Sequence, residues 1–575
     1  MFEDENKNFI NLIDTLLYKT LGVKEPGYER SDLYKRHIWD GITSFYDKDN
    51  HRFLTGLFPL VDTAFKLLQE KQYFDYSVKE DFPELFLDKD DIPEKITLLN
   101  GEEQDITLRE HQQKSVENAL IHNIGIIHAA TNAGKTEISA GMIKLLSPYL
   151  EGNEKIVYIV PSKEIFFGAI ERLQKRLGHS VGYWGDGKKK IGKINVVLVD
   201  SLVSAVKDPL KGMQLKGKKR ELQLLDEEIL SALEPYKINL DSIIPAFIRS
   251  YQSKESSMSR ARQNNINWLS SLVSEGNSNF YIRKELNAKH AEYVKMVKDL
   301  SKRKYDKQQS ALDLIKDTAV LIWDEAHHIK GIGAFNLAQM FVNATYRFGM
   351  TGTIDTKEKV LLRRINGIFG DVVYRVTNDY MIDKGYSAKP FIRFVDIKNQ
   401  SEDIFKKKKF IDAYTLGIVK NDVRNNIIAK ITETMYKKDK TVLIIVSRIE
   451  HGESLVEKLS KLGVHSEFIN GTLDTDVRKR QLADVASGKL KVIVSTTVLD
   501  EGVDISGIRV LIMAAGMKSL RQTLQRVGRT LRVKKEDNTT LIFDFYDRTN
   551  PYLYNHSNQR LNIYKEEGFD IKFLN

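Results

Sequence analysis

The sequence contains no cysteine and no long apolar run. The first absence excludes a disulfide framework, a thiolate metal site and a cysteine nucleophile. The second argues against a transmembrane helix, which needs roughly 20 consecutive apolar residues. The start of the chain, Met1 to Glu5, is acidic and lacks the basic-then-apolar order of a signal peptide. We therefore expect a cytoplasmic protein that does not act on a membrane.

Acidic residues are fewer than basic ones, with 78 Asp and Glu against 88 Lys and Arg, which leaves a net charge of +10. This excess suits a nucleic-acid partner, but a solvated lysine-rich surface accounts for it equally well. The apolar fraction of 42% and the charged fraction of 29% are typical of a globular protein. A chain of 575 residues should form several domains, each with its own core.

A candidate phosphate site follows the apolar run Ile124–His128, which has the composition of a buried strand. After a short turn, residues 137–146 have helical spacing. Such a unit aims backbone N–H groups and a helix N-terminus at phosphate oxygens. Lys135 is predicted to reach the β- and γ-phosphates, and the Thr136 hydroxyl to hold Mg²⁺. The strict motif has a first glycine where this chain has Ala129. The predicted cradle comprises Asn132, Ala133, Gly134, Lys135 and Thr136.

A second motif, Asp324-Glu325-Ala326-His327, follows the apolar run 319–323. Carboxylates at the end of a parallel strand lie at the carboxyl edge of the sheet, beside the phosphate cradle. We expect Asp324 to complete the Mg²⁺ shell and Glu325 to orient and deprotonate the attacking water. His327 is predicted to sense the γ-phosphate. An exposed acidic turn is the alternative, which the buried strand and the upstream cradle disfavour.

Three arginines near a glycine form a third candidate site. Arg526, Arg529 and Arg532 recur at intervals of three residues, spread along one side of a predicted helix. Guanidinium groups over a transferring phosphoryl group stabilise its charge. We therefore predict that Arg529 and Arg532 are catalytic. The alternative is a solvated basic helix face.

Predicted strands and helices alternate in two series, at about residues 104–375 and 390–545. This alternation predicts two doubly wound α/β domains in tandem, each with a parallel sheet. The predicted strands of the first series are Ile124–His128, Ile156–Val160, Ile194–Val199, Ala319–Trp323 and Tyr346–Met350. Those of the second series are Val442–Val446, His465–Ile469, Val492–Val494, Val510–Ala514 and Leu541–Phe545.

Two segments stand outside these series. The N-terminal segment mixes aromatic and basic residues, which suits either a nucleic-acid surface or a small core, and short strands are predicted at Ile42–Tyr46 and Phe53–Phe58. Residues 203–317 lack strand signals and carry helical repeats, so we predict a helical insertion. Its apolar repeats are Leu222, Leu225, Ile229 and Leu233, and then Leu286, Tyr293, Val297 and Leu300.

Taken in order, these motifs resemble those of superfamily 2 helicases, over about residues 100–545. The resemblance implies an accessory domain at 1–98, a RecA-like domain at 99–375 with the insertion 203–317, and a second at 376–575. It implies ATP and Mg²⁺ as cofactors. It further implies that Gln112, Gly502 and Asp504 bind nucleotide, that Pro161, Ser162, Ser201, Arg448 and Thr496 contact nucleic acid, and that Thr351, Thr353 and Gln525 couple hydrolysis to strand contact.

The cradle departs from the superfamily pattern, which usually has Gly and a small residue where this chain has Asn132 and Ala133. Because asparagine tolerates the left-handed conformation better than most residues, we expect no loss of activity.

Both ends of the chain resemble the phage UvsW-type recombination helicases, a DEAH-box group. The similar residues are Trp39-Asp40-Gly41, the run 53–57, and His556, Arg560 and Tyr564 in the tail. That family remodels branched DNA, including forks, junctions and R-loops, with 3′-to-5′ polarity. The resemblance implies branched DNA as the partner, the cytoplasm of a bacterium or an infected host, and nucleic-acid contacts by Arg36 and Trp39.

Other functions stay open at this point. An RNA helicase would use the same motor, because single-strand contacts are mostly to phosphates. A motor subunit of a restriction or defence complex would use the insertion 203–317, which the UvsW-type pattern lacks, to dock a protein partner. A non-catalytic binding module is disfavoured because every role at the ATP site is filled.

Overall fold

The computed structural model describes residues 2–71, 75–79, 87, 89–130, 132–207, 218–228, 260–275, 277, 279–354, 358–398, 401–496, 508–517 and 538–574. The chain forms two compact units. The first consists of Met1–Ser201 with Asp317–Asn575, and the second is Leu202–Lys316.

The first unit begins with a small α+β segment, as predicted. Its helices are α1 (Phe2–Thr20), α2 (Asp32–Lys35) and α3 (Phe58–Glu70), and its strands are β1 (Gly22–Lys24), β2 (Ile42–Ser44), β3 (Tyr46–Asp47) and β4 (Arg52–Phe53). β1 pairs with β2, and β3 pairs with β4, both antiparallel. The buried core of this segment contains Leu17, Leu21, Tyr46, Leu57 and Val61.

The strand predicted at Phe53–Phe58 is wrong, because the chain there turns into helix α3. A 3₁₀ turn at Thr55–Leu57 leads into the helix, and Pro59 occupies its first turn, where a missing N–H breaks no helical hydrogen bond. Leu57 and Val61 are four residues apart and are both buried. The apolar spacing therefore has the helical period and not the strand period.

An eight-stranded sheet follows, in the order β10-β9-β11-β8-β12-β13-β7-β14, after a short ladder of β5 with β6. Only the β9–β10 pair of this sheet is antiparallel among the described strands. The strands are β5 (Thr97–Leu98), β6 (Ile106–Thr107), β7 (Ile124–Ala129), β8 (Lys155–Val160), β9 (Gly182–Gly185), β10 (Lys188–Lys190), β11 (Ile194–Leu198), β12 (Thr318–Trp323), β13 (Tyr346–Thr351) and β14 (Val372–Val376).

Helices connect these strands, and a helical insertion separates β11 from β12. The helices before the insertion are α4 (Glu110–His122), α5 (Lys135–Leu146), α6 (Lys163–Leu177) and α7 (Val199–Val206). Those of the insertion are α8 (Lys218–Glu228), α9 (Arg260–Ser274) and α10 (Asn279–Lys316). Those after it are α11 (Ile332–Gln339), α12 (Lys359–Phe369) and α13 (Asn378–Asp383).

Central strands of this sheet are buried on both faces, as parallel strands between helical layers must be. All six residues of β12 are buried, and so are five of the six residues of β8. β7 and β12 lie on either side of β13 and run in the same direction. The residues that follow these two strands therefore meet at one edge of the sheet.

The second sheet has seven strands, all parallel, in the order β17-β18-β16-β19-β20-β15-β21. They are β15 (Lys389–Ile397), β16 (Val442–Ile445), β17 (Glu467–Ile469), β18 (Val492–Ser495), β19 (Val510–Ile512), β20 (Thr539–Asp547) and β21 (Asp570–Leu574). Its helices are α14 (Glu402–Phe405), α15 (Phe410–Tyr414), α16 (Asp422–Lys437), α17 (Ile449–Lys461), α18 (Thr475–Ala486) and α19 (Pro551–Glu566). Alternate residues of β16 enter two different apolar clusters, one on each face.

The predicted tandem of two parallel-sheet α/β domains is confirmed, and every predicted strand of both series is present, with ends that differ by at most two residues. The apolar pattern does not predict β10, β14 or β21, which lie at sheet edges. β10 consists of three exposed lysines, and β14 and β21 are mostly exposed or half-buried. β9 and β15 are likewise not predicted. The domain boundaries at residues 98 and 375 stay predictions.

All the elements of the second unit among its described residues are helices, which confirms that the insertion is helical, and α10 alone runs for 38 residues. Leu222 and Leu225 on α8 and Leu286 on α10 are buried. Asn265 of α9 donates a hydrogen bond of 2.9 Å to a backbone carbonyl of α8. Two members of the predicted apolar face lie outside the described residues, Ile229 and Leu233.

Among the described helices, none combines the length and the apolar character that crossing a membrane requires.

The α+β segment packs against the end of α12 through glycine. A Cβ at Gly56 would lie 2.0 Å from the carbonyl oxygen of Asn366 and 2.6 Å from the backbone nitrogen of Gly370. A Cβ at Gly367 would lie 2.6 Å from a methyl carbon of Leu54. The backbone at Gly56 therefore packs directly against the backbone at the end of α12, at a distance that leaves no room for a side chain.

Gly56→Val should destabilise the protein, because the new side chain must push the α+β segment away from α12. We expect the unfolding midpoint to fall by about 2–4 °C, as an overpacked contact in a large domain does. The matched control is Gly168→Ala on α6, where a Cβ meets nothing within 4 Å. Equal midpoints for the Gly56→Val variant and the wild type, measured by calorimetry, would show that this contact is absent in solution.

Candidate functional site

The predicted phosphate cradle joins the end of β7 to the start of α5. Two of its residues are left-handed, Asn132 with φ 72° and Gly134 with φ 82°. Asparagine therefore adopts the conformation in which the superfamily usually places glycine. At Gly134 a Cβ would lie 2.2 Å from the side-chain nitrogen of Gln112, so this position has no room for a side chain.

Two side chains of α4 hold the cradle. Gln112 donates from Nε2 to the carbonyl oxygen of Ala133 at 3.0 Å, and its Oε1 accepts from the backbone N–H of Arg109 at 3.0 Å. His111 donates from Nε2 to the same carbonyl oxygen at 2.9 Å. Burial lowers the pKa of His111, which keeps the ring neutral. The motif reasoning assigned Gln112 to the nucleotide and missed this bracing role, which only the folded chain reveals.

A cavity of about 450 Å³ opens beside the cradle. Its walls include Arg109, Gln112, Gly134 and Tyr386. The guanidinium of Arg109 lies over the Tyr386 ring, 4.3 Å from its centroid. Sequence reasoning missed Tyr386, because it lies between the two sheets in sequence and belongs to no motif.

The carboxylates Asp324 and Glu325 follow β12 directly and face the cradle. Lys135 forms an ion pair with Glu325, and its Nζ lies 3.9 Å from Oδ1 of Asp324. Tyr158 donates a hydrogen bond of 3.0 Å from its hydroxyl to Oδ2 of Asp324. The structure thus brings together Lys135 and both predicted carboxylates.

Burial and charge act on these two carboxylates in opposite ways. Burial raises the pKa of Asp324, and the neighbouring Glu325 raises it further, against the opposing effects of Lys135 and Tyr158. Burial alone would also raise the pKa of Glu325, but Lys135 and His327 outweigh it and lower that pKa to about 2. Glu325 is therefore ionised at neutral pH, and Lys135 is its main counter-charge.

His327 connects the end of β12 to the end of β13. Its Nδ1 lies 2.9 Å from the Thr351 hydroxyl and 3.3 Å from Oε2 of Glu325. The Thr351 hydroxyl donates to the carbonyl oxygen of Thr353 at 3.0 Å, so it accepts from His327. His327, Thr351 and Thr353 are all buried. A hydrogen-bonded path thus runs from His327, which lies beside Glu325, to the two threonines predicted to couple hydrolysis to strand contact.

Three residues predicted to contact nucleic acid lie at the carboxyl edge of the first sheet. Pro161 and Ser162 follow β8, and Ser162 caps α6 by accepting from the N–H of Ile165 at 3.4 Å. Ser201 lies on α7, after the adjacent strand β11. All three side chains are half-buried. Because β8 and β11 run parallel to β7 in the same sheet, the residues that follow them lie at the same edge as the cradle.

Two more predicted contacts belong to the second sheet. Arg448 occupies the N-cap position of α17 and is partly exposed. Its guanidinium lies 5.5 Å from the centroid of the Tyr414 ring. Thr496 follows β18 and is buried, and its backbone N–H donates to the carbonyl oxygen of Ile469 at 3.0 Å.

In the α+β segment, Arg36 is exposed and Trp39 is half-buried. The Trp39 indole N–H donates to the carbonyl oxygen of Ile42 at 2.7 Å. The remaining predicted site residues lie outside the described residues. They are Gly502, Asp504, Gln525, Arg526, Arg529 and Arg532.

Two family models match the chain. The one described as "Type III restriction enzyme, res subunit" matches residues 105–230, which include the phosphate cradle. The one described as "Helicase conserved C-terminal domain" matches residues 389–534, which include most strands of the second sheet.

Curated relatives are helicases and translocases. The ATP-dependent DNA helicase uvsW of Enterobacteria phage T4 is 21% identical over 264 residues, or 43% of this chain and 52% of the relative. The putative ATP-dependent RNA helicase L396 of Acanthamoeba polyphaga mimivirus is 24% identical over 50% of this chain and 54% of the relative. The DNA 3′-5′ translocase XPB2 of Sulfurisphaera tokodaii is 28% identical over 39% of this chain and 57% of the relative. The chain therefore spans about half the length of the curated relatives it matches.

Two solved structures match most of the chain at low identity. The crystal structure of T4 UvsW matches 97% of this chain and 94% of its own, with 16% identity and a TM-score of 0.37. S. cerevisiae Dbp5 bound to RNA matches 81% of this chain and 93% of its own, with 13% identity and a TM-score of 0.43.

The first family model covers the cradle and the second covers the other sheet, in the order that the motifs predict. The two parallel sheets that carry these regions are the tandem RecA-like domains that the resemblance implies. The chain is therefore similar to the superfamily 2 helicases over both sheets.

Proposed function

We propose that the protein is an ATP-dependent DNA helicase or translocase that unwinds or remodels branched DNA, such as forks, junctions and R-loops, with 3′-to-5′ polarity. The observation that carries the proposal is the ion pair between Lys135 of the cradle and Glu325, with Asp324 3.9 Å from the same ammonium. A lysine and two carboxylates that converge from separate strands are the groups that hydrolysis of a nucleoside triphosphate needs.

Binding of ATP would replace the partner of Lys135. The ammonium would leave Glu325 for the phosphates, and Glu325 would lose the charge that holds its pKa low. Its pKa would then rise, because burial favours the protonated form. The carboxylate thus becomes a stronger base for the attacking water when the substrate is in place, and Arg529 and Arg532 would stabilise the transferring phosphoryl group.

The residues beside the cradle fit Mg²⁺. The Thr136 hydroxyl and the Asp324 carboxylate are hard oxygen ligands of the kind that this ion prefers. Among the described residues, no group of three or more His, Cys, Asp or Glu is placed to hold a metal. This fits an ion that completes its shell with water and substrate phosphates. When bound, Mg²⁺ would neutralise charge on the phosphates.

Residues at the carboxyl edges of the two sheets would bind the strand. Ser162 and Ser201 lie at this edge of the first sheet, and Arg448 and Thr496 at this edge of the second. Such residues contact phosphate and sugar, which carry no base code, so sequence preference should be weak. DNA as the substrate is supported by the similarity to the DNA helicase uvsW, and the 3′-to-5′ polarity by the similarity to the DNA 3′-5′ translocase XPB2. Branched DNA rests on the resemblance of both ends of the chain to UvsW-type recombination helicases.

Two other functions have observations in their favour. Similarity to the putative RNA helicase L396 supports RNA as the substrate. The family model described as a type III restriction enzyme subunit supports a motor in a restriction or defence complex, docked through the insertion 203–317.

Lys135→Ala should lower ATP turnover by about 10²–10³-fold, the cost of removing one preorganised group that stabilises developing charge. The control is Lys144→Ala on the same helix, where the side chain is exposed and bonds to the carbonyl oxygen of Thr97 at 2.5 Å. We expect the control to retain wild-type turnover in a steady-state assay. Normal turnover by the Lys135→Ala variant would refute the assignment of the ATP site.

Thr351→Val should separate hydrolysis from strand contact, because it removes the hydroxyl that joins His327 to Thr353. We expect stimulation of the ATPase by nucleic acid to fall by about tenfold, with a much smaller change without nucleic acid. The control is Thr432→Val, a buried threonine whose hydroxyl bonds within its own helix at 2.8 Å. Equal stimulation of the Thr351→Val variant and the wild type would contradict the coupling role.

The substrate is tested by ATPase stimulation with single-stranded DNA, a forked duplex, a four-way junction and structured RNA at equal ionic strength. We expect the strongest stimulation from the branched DNAs. Strongest stimulation by RNA would instead assign RNA as the substrate. Absence of stimulation by any of them, with intact basal turnover, would favour a motor that needs a protein partner.

A further inference from the structure

Residues 514–517, here called the connector, follow β19 at the carboxyl edge of the second sheet. Three of their backbone carbonyl groups accept hydrogen bonds from side chains of three different helices. Arg424 of α16 donates to Ala514, Tyr414 of α15 donates to Ala515, and Arg560 of α19 donates to Met517, at 2.9, 2.7 and 3.0 Å.

The two arginines are themselves fixed by buried carboxylates of β20. Arg424 bonds to Asp547 at 2.8 Å, and Arg560 bonds to Asp544 at 2.9 Å. Tyr564 also donates to Asp544, at 2.9 Å. All these side chains are buried. The connector is thus attached to a rigid network, in which a buried group that lost its partner would cost stability.

Tyr414 makes a second contact, on the face of its ring. The guanidinium of Arg448 lies 5.5 Å from the ring centroid, within the range of a cation–π interaction. Arg448 sits at the start of α17, after the central strand β16, and is partly exposed. The side chain of Tyr414 therefore contacts both Arg448, which is predicted to bind nucleic acid, and the backbone of the connector.

We propose that Tyr414 is a positioning residue that couples strand binding at Arg448 to the connector, and through it to ATP turnover. The inference rests on the proposed function. The connector precedes in sequence the segment that carries the predicted arginines Arg529 and Arg532. A strand bound at Arg448 changes the charge environment over the Tyr414 ring, and the hydroxyl of that ring holds the connector at Ala515.

The test separates this role from a structural one with Tyr414→Phe, which keeps the ring under Arg448 and removes the hydroxyl. We expect the stimulated turnover at saturating DNA to fall about fivefold, the effect of one neutral hydrogen bond. The Kd for DNA should stay within twofold, because Arg448 keeps its ring contact.

The matched control is Tyr546→Phe. Tyr546 of β20 is a buried tyrosine of the same domain, 6% exposed against 3% for Tyr414, and its hydroxyl bonds to Asn558 and not to the connector. A structural role predicts that both variants lose thermal stability and keep wild-type stimulation. That result would overturn the inference while leaving the proposed function intact. Absence of stimulation in the wild-type protein would overturn both this inference and the proposed function.

A double-mutant cycle tests the route through Arg448. If Tyr414 acts through Arg448, then Tyr414→Phe should change stimulation by less than about twofold in an Arg448→Ala background. A fivefold loss in that background as well would show that the two residues act independently, and the coupling would then be refuted.

Discussion

The contact between Lys135 and Glu325 is the interaction on which the rest of the first domain depends. Both charges are largely removed from water, so each needs the other. Glu325 has a left-handed backbone, with φ 48° and ψ 54°, which turns its carboxylate towards the cradle. The sheet order places one strand between β7 and β12 and leaves a gap that the lysine side chain can cross. Burial of the sheet therefore serves to hold two charged groups in reach of each other.

The second domain uses buried charge differently. Arg424 with Asp547 and Arg560 with Asp544 form ion pairs whose members are all nearly inaccessible to solvent. A buried pair of this kind adds little net stability over apolar packing, but it fixes geometry, and here each guanidinium also holds a backbone carbonyl. Under the proposed function the lysine of the first domain changes its partner when ATP binds, whereas no exchange of partners is proposed for the buried pairs of the second domain.

Sequence patterns predicted those parts of the protein that depend on residues close together in the chain. Buried parallel strands are continuous apolar runs, so the central strands and the motif residues at their ends could be placed in advance. The placement of Asp324 and Glu325 beside the cradle followed from the topology rule, whereas the ion pair of Glu325 with Lys135 was not predicted. The bracing of Ala133 by Gln112, the Tyr386 wall and the Tyr414 bridge could not be predicted, because each joins residues far apart in sequence. The edge strands β10, β14 and β21 were not predicted, because exposure of their residues removes the apolar signal.

The N-terminal aromatics show how the fold decides between two interpretations of one composition. Tyr46 is in the core, where its hydroxyl bonds to Asp14 at 2.5 Å, so a core explains part of the pattern. Trp39 of the same segment is half-buried, Arg36 is exposed, and the indole N–H of Trp39 is already bonded to the carbonyl oxygen of Ile42. A base at this surface would therefore meet the indole through its ring face and not through a hydrogen bond. Stacking of that kind tolerates any base, as the proposed contacts to the strand backbone also do.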